Sequence, residues 1–145
     1  MAGFRVQRLD HVHVYVKDRA RAVTWYNDVL GLSKLYEDTD HDGNGPIIMS
    51  SDGGETHLAL IESKDTAGPH ARVIAFRVDA KGLKTFLARL GELDLRDFKG
   101  ERVTAGEVAD HGETWSIYFC DPDGNPYEIT TYDHAGFAAH RQAAR

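Results

Sequence analysis

The sequence predicts an α+β fold assembled from two βαβββ modules. Three observations lead there. An alternating strand followed by an amphipathic helix occurs near the N-terminus and again in the second half. Each helix follows an aspartate suited to capping, Asp18 or Asp79, and meets a glycine, Gly31 or Gly91. Each half then closes on strands around an Asp-Gly turn, Asp52-Gly53 in one and Asp123-Gly124 in the other. The expected bounds are about 5–63 for the first module, about 70–133 for the second, and 134–145 for a C-terminal tail. Together the modules make one domain of 145 residues.

In chain order, Leu9 to Val16 alternates cleanly, with Val12, Val14 and Val16 on one face and His11, His13 and Tyr15 on the other. Ala22, Val23, Tyr26, Val29 and Leu30 then recur at helical spacing. A short strand is expected from Ser33 to Asp38, a loop from His41 to Pro46, and strands over Ile47 to Met49 and His57 to Glu62. The modules join near Lys64 to Pro69. The second begins with a strand from Arg72 to Val78, followed by a helix marked by Leu83, Phe86, Leu87 and Leu90 and stopped by Gly91. Glu92 to Glu113 is polar with little pattern. Ser116 to Asp133 reads as strand, tight turn, strand around Asp121-Pro122-Asp123-Gly124-Asn125.

Composition excludes several classes of function. A net charge of −6 with no basic run argues against nucleic acid and anionic membranes as partners. No stretch approaches a membrane span, and the first residues lack an apolar signal core. The single cysteine, Cys120, precludes an intrachain disulfide and fits a reducing, cytoplasmic setting. Beside Phe119 and the turn it reads as a small packing residue rather than a nucleophile.

Superposing the halves locates the chemistry. Setting Val16 on Val78 puts His11 opposite Val73, and setting Asp52-Gly53 on Asp123-Gly124 puts His57 opposite Glu128. Three of the four repeat-related slots therefore hold metal-ligand types: His11, His57 and Glu128. Alone, each has an ordinary explanation: a solvent-facing glutamate, or a histidine hydrogen-bonded at a sheet edge. Together, two imidazoles and a carboxylate suit a first-row divalent metal with open coordination positions.

Leu9-Asp10-His11-Val12-His13-Val14-Tyr15-Val16-Lys17-Asp18, Trp25-Tyr26-Asn27-Asp28-Val29-Leu30-Gly31-Leu32 and Tyr118 to Glu128 around Asp121-Pro122-Asp123-Gly124-Asn125 resemble the vicinal oxygen chelate superfamily. That group includes glyoxalases, extradiol ring-cleaving dioxygenases, fosfomycin-resistance thiol transferases and bleomycin-resistance proteins. The resemblance covers nearly the whole chain. It implies curved mixed sheets around a cupped metal site, a small-molecule substrate, and a homodimer whose cup can be completed by the neighbouring chain. It also implies His11 and Glu128 as ligands, and His57 in the manner of the glyoxalase-like members. The histidine most members carry on the first strand of the second half is replaced by Val73, and His70 lies just before that strand.

The reading preferred from these residues is a metal-dependent, extradiol dioxygenase-like enzyme acting on a small vicinal-diol aromatic. Its metal would be Fe(II) or Mn(II), with Ni, Co or Zn also compatible with nitrogen and oxygen ligands. Tyr118 and His111 stand where the resemblance expects an oxyanion donor and an acid–base histidine. The alternatives are a glyoxalase-like lyase or isomerase, for which Glu55 and Glu62 make unconvincing bases, and a non-enzymatic, bleomycin-resistance-like sequestering module using Trp25 and Trp115. A thiol transferase acting on a phosphonate would need a cationic pocket, and no such cluster stands out in the sequence.

Overall fold

The computed structural model describes residues 9–35, 45–64 and 72–144. His41, His70, the joining stretch beyond Lys64 and the later part of the strand expected over Ser33 to Asp38 lie outside the described residues. By its contacts the chain divides into two compact units, Met1–Thr66 and Ala67–Arg145.

The first unit runs β1 (His11–Val16), α1 (Arg19–Leu30), β2 (Ser33–Lys34), β3 (Ile47–Ser50), β4 (His57–Glu62). Its sheet order is β1-β4-β3-β2, with β1 and β4 parallel and the other pairs antiparallel. A parallel pair needs a crossover, which α1 and the two intervening strands supply. Asp18 starts α1 by accepting the Arg21 N–H through its side chain. Gly31, at φ 67°, ends it, its N–H reaching the Asn27 carbonyl while Leu32 reaches Tyr26. Tyr26 and Val29 bury one face of α1 with Val14, Val16, Met49, Leu58 and Leu60. The alternation of β1 leaves His11, His13 and Tyr15 exposed on the opposite face.

The second unit repeats the plan: β5 (Ile74–Arg77), α2 (Ala80–Leu93), β6 (Ala109–Asp110), β7 (Trp115–Cys120), β8 (Pro126–Thr131) and a further helix, α3 (His134–Ala143). The sheet order β5-β8-β7-β6 matches that of the first unit, with β5 and β8 parallel. Phe119 packs against Phe86 at 5.3 Å between ring centroids and against Tyr127 at 6.0 Å. Leu83, Leu90, Ile117, Ile129 and Phe137 complete this core. The α+β class and the βαβββ order of each half are as the sequence predicts. No helix among the described residues is long and apolar enough to cross a membrane.

Three local expectations are corrected. Gly91 does not stop the second helix: α2 continues to Leu93 and ends at Asp94, which adopts φ 46°. A glycine inside a helix costs about 1 kcal/mol relative to alanine, and the burial of Leu83, Phe86 and Leu90 outweighs that. The stretch from Glu92 to Glu113 is not patternless, because Leu95, Val103 and Val108 are buried, a 3-10 turn spans Ala105–Glu107, and β6 follows. Apolar anchors spaced widely give no periodic signal. The tail is a helix, capped by Asp133 on the Gly136 N–H and anchored by the fully buried Phe137.

Candidate functional site

In the first unit, His11 and His57 are register partners across the parallel β1–β4 pair. Their rings stack at 5.6 Å between centroids, 14° from parallel. Each ring is held through Nδ1: that of His11 lies 2.6 Å from Asp10 Oδ2, and that of His57 lies 3.0 Å from the Gly54 carbonyl oxygen. An imidazole donating Nδ1–H keeps its lone pair on Nε2, the tautomer a metal requires, and a carboxylate or carbonyl behind the ring fixes its orientation. Asp10 Oδ2 also lies 3.5 Å from His57 Nε2. One ligand atom from each of Asp10, His11 and His57 falls within 4.8 Å of the others. Bonds of about 2.0–2.2 Å to one ion hold donors about 3–4 Å apart, so this trio closes on a cation with small side-chain movements. His13, one step along the same face, brings its Nε2 to 3.2 Å from that of His11. The residues fit a divalent metal with nitrogen and oxygen ligands.

Asp10 is absent from the expected ligand set. Strand alternation assigns it to the face opposite His11, but β1 begins only at His11, so the Asp10 side chain is free of the alternation and turns toward the rings.

In the second unit, β8 lies between β5 and β7, and Glu128 pairs with Ala75 on one side and Tyr118 on the other. The register beside Glu128 therefore falls on Ala75, the next residue after Val73 on the same face. Val73 itself precedes β5. Neither side chain can bind a metal. Tyr118 lies 3.1 Å from His111 through its hydroxyl and the ring Nε2. Loss of water, and then the negative charge of Glu128, push the Tyr118 phenol above its ordinary value, with a hydrogen bond to Ser116 opposing. Tyr118 thus stays protonated and acts as a donor. His111 is carried by the turn between β6 and β7, where its N–H donates to the Thr114 carbonyl and Gly112 adopts φ 87°.

The Asp121-Pro122-Asp123-Gly124-Asn125 turn is what sets this register. Asp121, buried, accepts the N–H groups of Asp123 and Asn125 on Oδ1 and the Asn125 amide on Oδ2, while Gly124 takes φ 85°. A slip by one residue would turn Glu128 to the other face of the sheet. Cys120 is buried and its thiol pushed up by loss of water and by the charges of Asp121 and Asp97, which makes it a poor nucleophile. Trp115 is committed to α3: its indole N–H donates to the His134 carbonyl, its ring stacks on His134 at 5.3 Å, and the Arg141 guanidinium sits 5.4 Å from the ring centroid.

One expectation about charge needs correcting. Lys17, Arg19 and Lys34 do share a cavity of about 390 Å³ in the first unit, together with Asp18 and Glu62. They are far apart in sequence, so no run betrays them. Glu62 accepts the Arg19 N–H and lies 3.6 Å from its guanidinium, so a carboxylate already engages that cation. Lys17 follows the end of β1 remote from His11, a strand length of roughly 20 Å.

The family model of the glyoxalase/bleomycin resistance protein/dioxygenase superfamily matches residues 8–129. The chain belongs to this superfamily. Its turn signature and its paired βαβββ units are those of the vicinal oxygen chelate group. Metallothiol transferase FosB of Staphylococcus saprophyticus is 27% identical over 130 residues, which cover 87% of this chain and 78% of that protein. A virulence protein of Salmonella typhimurium is 25% identical over 130 residues, covering 88% of this chain and 85% of its own. Among solved structures, the fosfomycin resistance protein FosX of Listeria monocytogenes, complexed with Mn(II) and sulfate, superposes with a TM-score of 0.66 at 18% identity, covering 94% of this chain and 99% of that one. The structural likeness speaks for the vicinal oxygen chelate fold.

Proposed function

We propose that the protein is a metal-dependent vicinal-oxygen-chelate enzyme whose cation is held by His11, His57 and Glu128, with Asp10 fixing the His11 imidazole and the Gly54 carbonyl that of His57. The observation that carries this reading is the Asp10, His11 and His57 cluster, in which both rings are anchored through Nδ1. A bound divalent cation would supply Lewis-acid polarisation of two neighbouring substrate oxygens. Tyr118, held protonated beside Glu128, donates a hydrogen bond to a substrate oxygen as charge develops there. A substrate hydroxyl that loses its proton passes it to the Tyr118 oxygen as Tyr118 passes its own to His111 Nε2. Ring opening of a catechol with uptake of one O2 is the reaction that uses this pair most fully, and Fe(II) or Mn(II) the metal it favours. We assign the active form as a cytoplasmic homodimer.

The test is oxygen uptake by the metal-loaded protein with a panel of catechols. Uptake in step with loss of catechol, and reduced about 10²-fold or more in Tyr118→Phe as expected for loss of a proton-transfer group, supports the proposal. A second reading, thiol transfer, is favoured by the similarity to FosB. With a thiol and an electrophilic acceptor supplied together, formation of their adduct without oxygen uptake would establish that reading instead.

A further inference from the structure

The second unit contains a cavity of about 330 Å³ whose walls include Val73, Phe98, Tyr118 and Pro126, with Cys120 and Tyr127 beneath. Its size falls in the range of small-ligand pockets, roughly 300–1,000 Å³. Phe98 is 73% exposed, a large apolar ring held at the surface. The charged side chains in the lining are Asp97 and Glu107, both carboxylates. Each has one oxygen committed to backbone: Asp97 Oδ1 accepts the N–H groups of Lys99 and Glu101, and Glu107 Oε2 that of Thr104. Those bonds fix the carboxylates in place without neutralising them. The negative field reaches the floor, where the charge of Asp97 contributes to raising the Cys120 thiol. The Lys99 ammonium, 5.7 Å from the Phe98 ring centroid, is outside the lining but marks that ring as accessible to a cation.

We infer that this cavity is the substrate-ring slot of the proposed enzyme and that it selects a small aromatic carrying a positive or neutral side chain, not an anionic one. The inference rests on the proposed function only in identifying the ring as that of a substrate, through Tyr118, which belongs to both the cavity and the acid–base pair. The apolar walls remove the ring from water, and the two carboxylates set the sign of the substituent. A phosphonate or carboxylate on the same ring would meet like charges at the rim, so selection acts by repulsion as much as by attraction.

A matched pair of probes decides it. Binding of benzylamine and of benzoate is measured by calorimetry on metal-free protein, so that the outcome is independent of metal loading and turnover. Benzylamine is expected to bind at least about tenfold more tightly than benzoate, equivalent to about 1.4 kcal/mol. The double variant Asp97→Asn, Glu107→Gln, which keeps the hydrogen-bonding shapes, should bring the two to within about threefold, roughly 0.65 kcal/mol. Phe98→Ala, at an exposed position, should weaken both. Benzoate binding as well as benzylamine, absence of saturable binding by either, or affinities unchanged in Phe98→Ala would each overturn the inference. Selective ring binding in a protein that then takes up no metal would leave the slot standing and remove the proposed function.

Discussion

His11 and His57 face one another across the parallel β1–β4 pair, ring against ring at 5.6 Å, with Asp10 Oδ2 reaching both. The pairing places two imidazoles, each oriented through Nδ1, on neighbouring rigid strands, so little ordering is left to a metal when it binds. Asp10 stands behind the His11 ring, on its Nδ1: Asp10→Asn should lower metal affinity about 10-fold to 100-fold, the range for removing an outer partner of a ligating histidine. A competitive titration against a chelator measures this. Unchanged affinity would detach Asp10 from the site.

Tyr118 should titrate above an ordinary tyrosine, and Glu128→Gln should bring it partway down. Desolvation is the largest of the three causes raising it, ahead of the Glu128 charge and the hydrogen bond to Glu128, so loss of that charge cannot restore the ordinary value while desolvation persists. The ultraviolet difference spectrum between each protein and its Tyr118→Phe counterpart isolates this phenol from the other tyrosines. An identical titration in the two would mean that Glu128 does not act on Tyr118.

Much of this architecture is legible in the sequence, for identifiable reasons. The alternation of His11 to Val16, the Asp18 and Asp79 caps and the Asp121 turn are local signals, and each forms the element it predicts. The partners of those elements are not local. Asp10 is visible only once β1 is known to start at His11, and Ala75 beside Glu128 follows from the β5–β8 register, not from superposing the repeats. The cavity cations Lys17 and Lys34, and the pair Asp97 and Glu107, meet only through the fold. The helix α3 is missed because Ala, Gly and His give a weak stripe on which Phe137 alone is buried.

Gly91 lies within α2, with a φ outside the left-handed region and no neighbouring atom within 4 Å of where an alanine methyl would sit. Gly91→Ala should therefore stabilise the protein by about 0.5–1 kcal/mol through lower backbone entropy in the unfolded chain and better helix propensity. Denaturant unfolding measures it. Destabilisation would mean that the helix needs the glycine at that turn.

Acid should release α3. His134 Nε2 lies 2.7 Å from Asp110 Oδ1, and that bond, with the Gly112 N–H, holds the Asp110 carboxyl below its usual range. A depressed folded value means stabilisation that is present above the unfolded value of about 3.9 and is lost as pH falls below it. Near-ultraviolet circular dichroism of Trp115, stacked on His134, should change in that window and should lose this transition in Asp110→Asn. An identical acid transition in the variant would assign the loss to another group.

The central proposal, one divalent cation held by His11, His57 and Glu128, is tested most directly by elemental analysis of tag-free protein beside Glu128→Ala and His57→Ala. The wild type should carry about one equivalent of metal, iron or manganese in the favoured case. Glu128→Ala should carry none, and His57→Ala should bind at least about tenfold more weakly, or 1.4 kcal/mol. Absence of metal from all three proteins after reconstitution, or equal content in all three, would contradict the assignment.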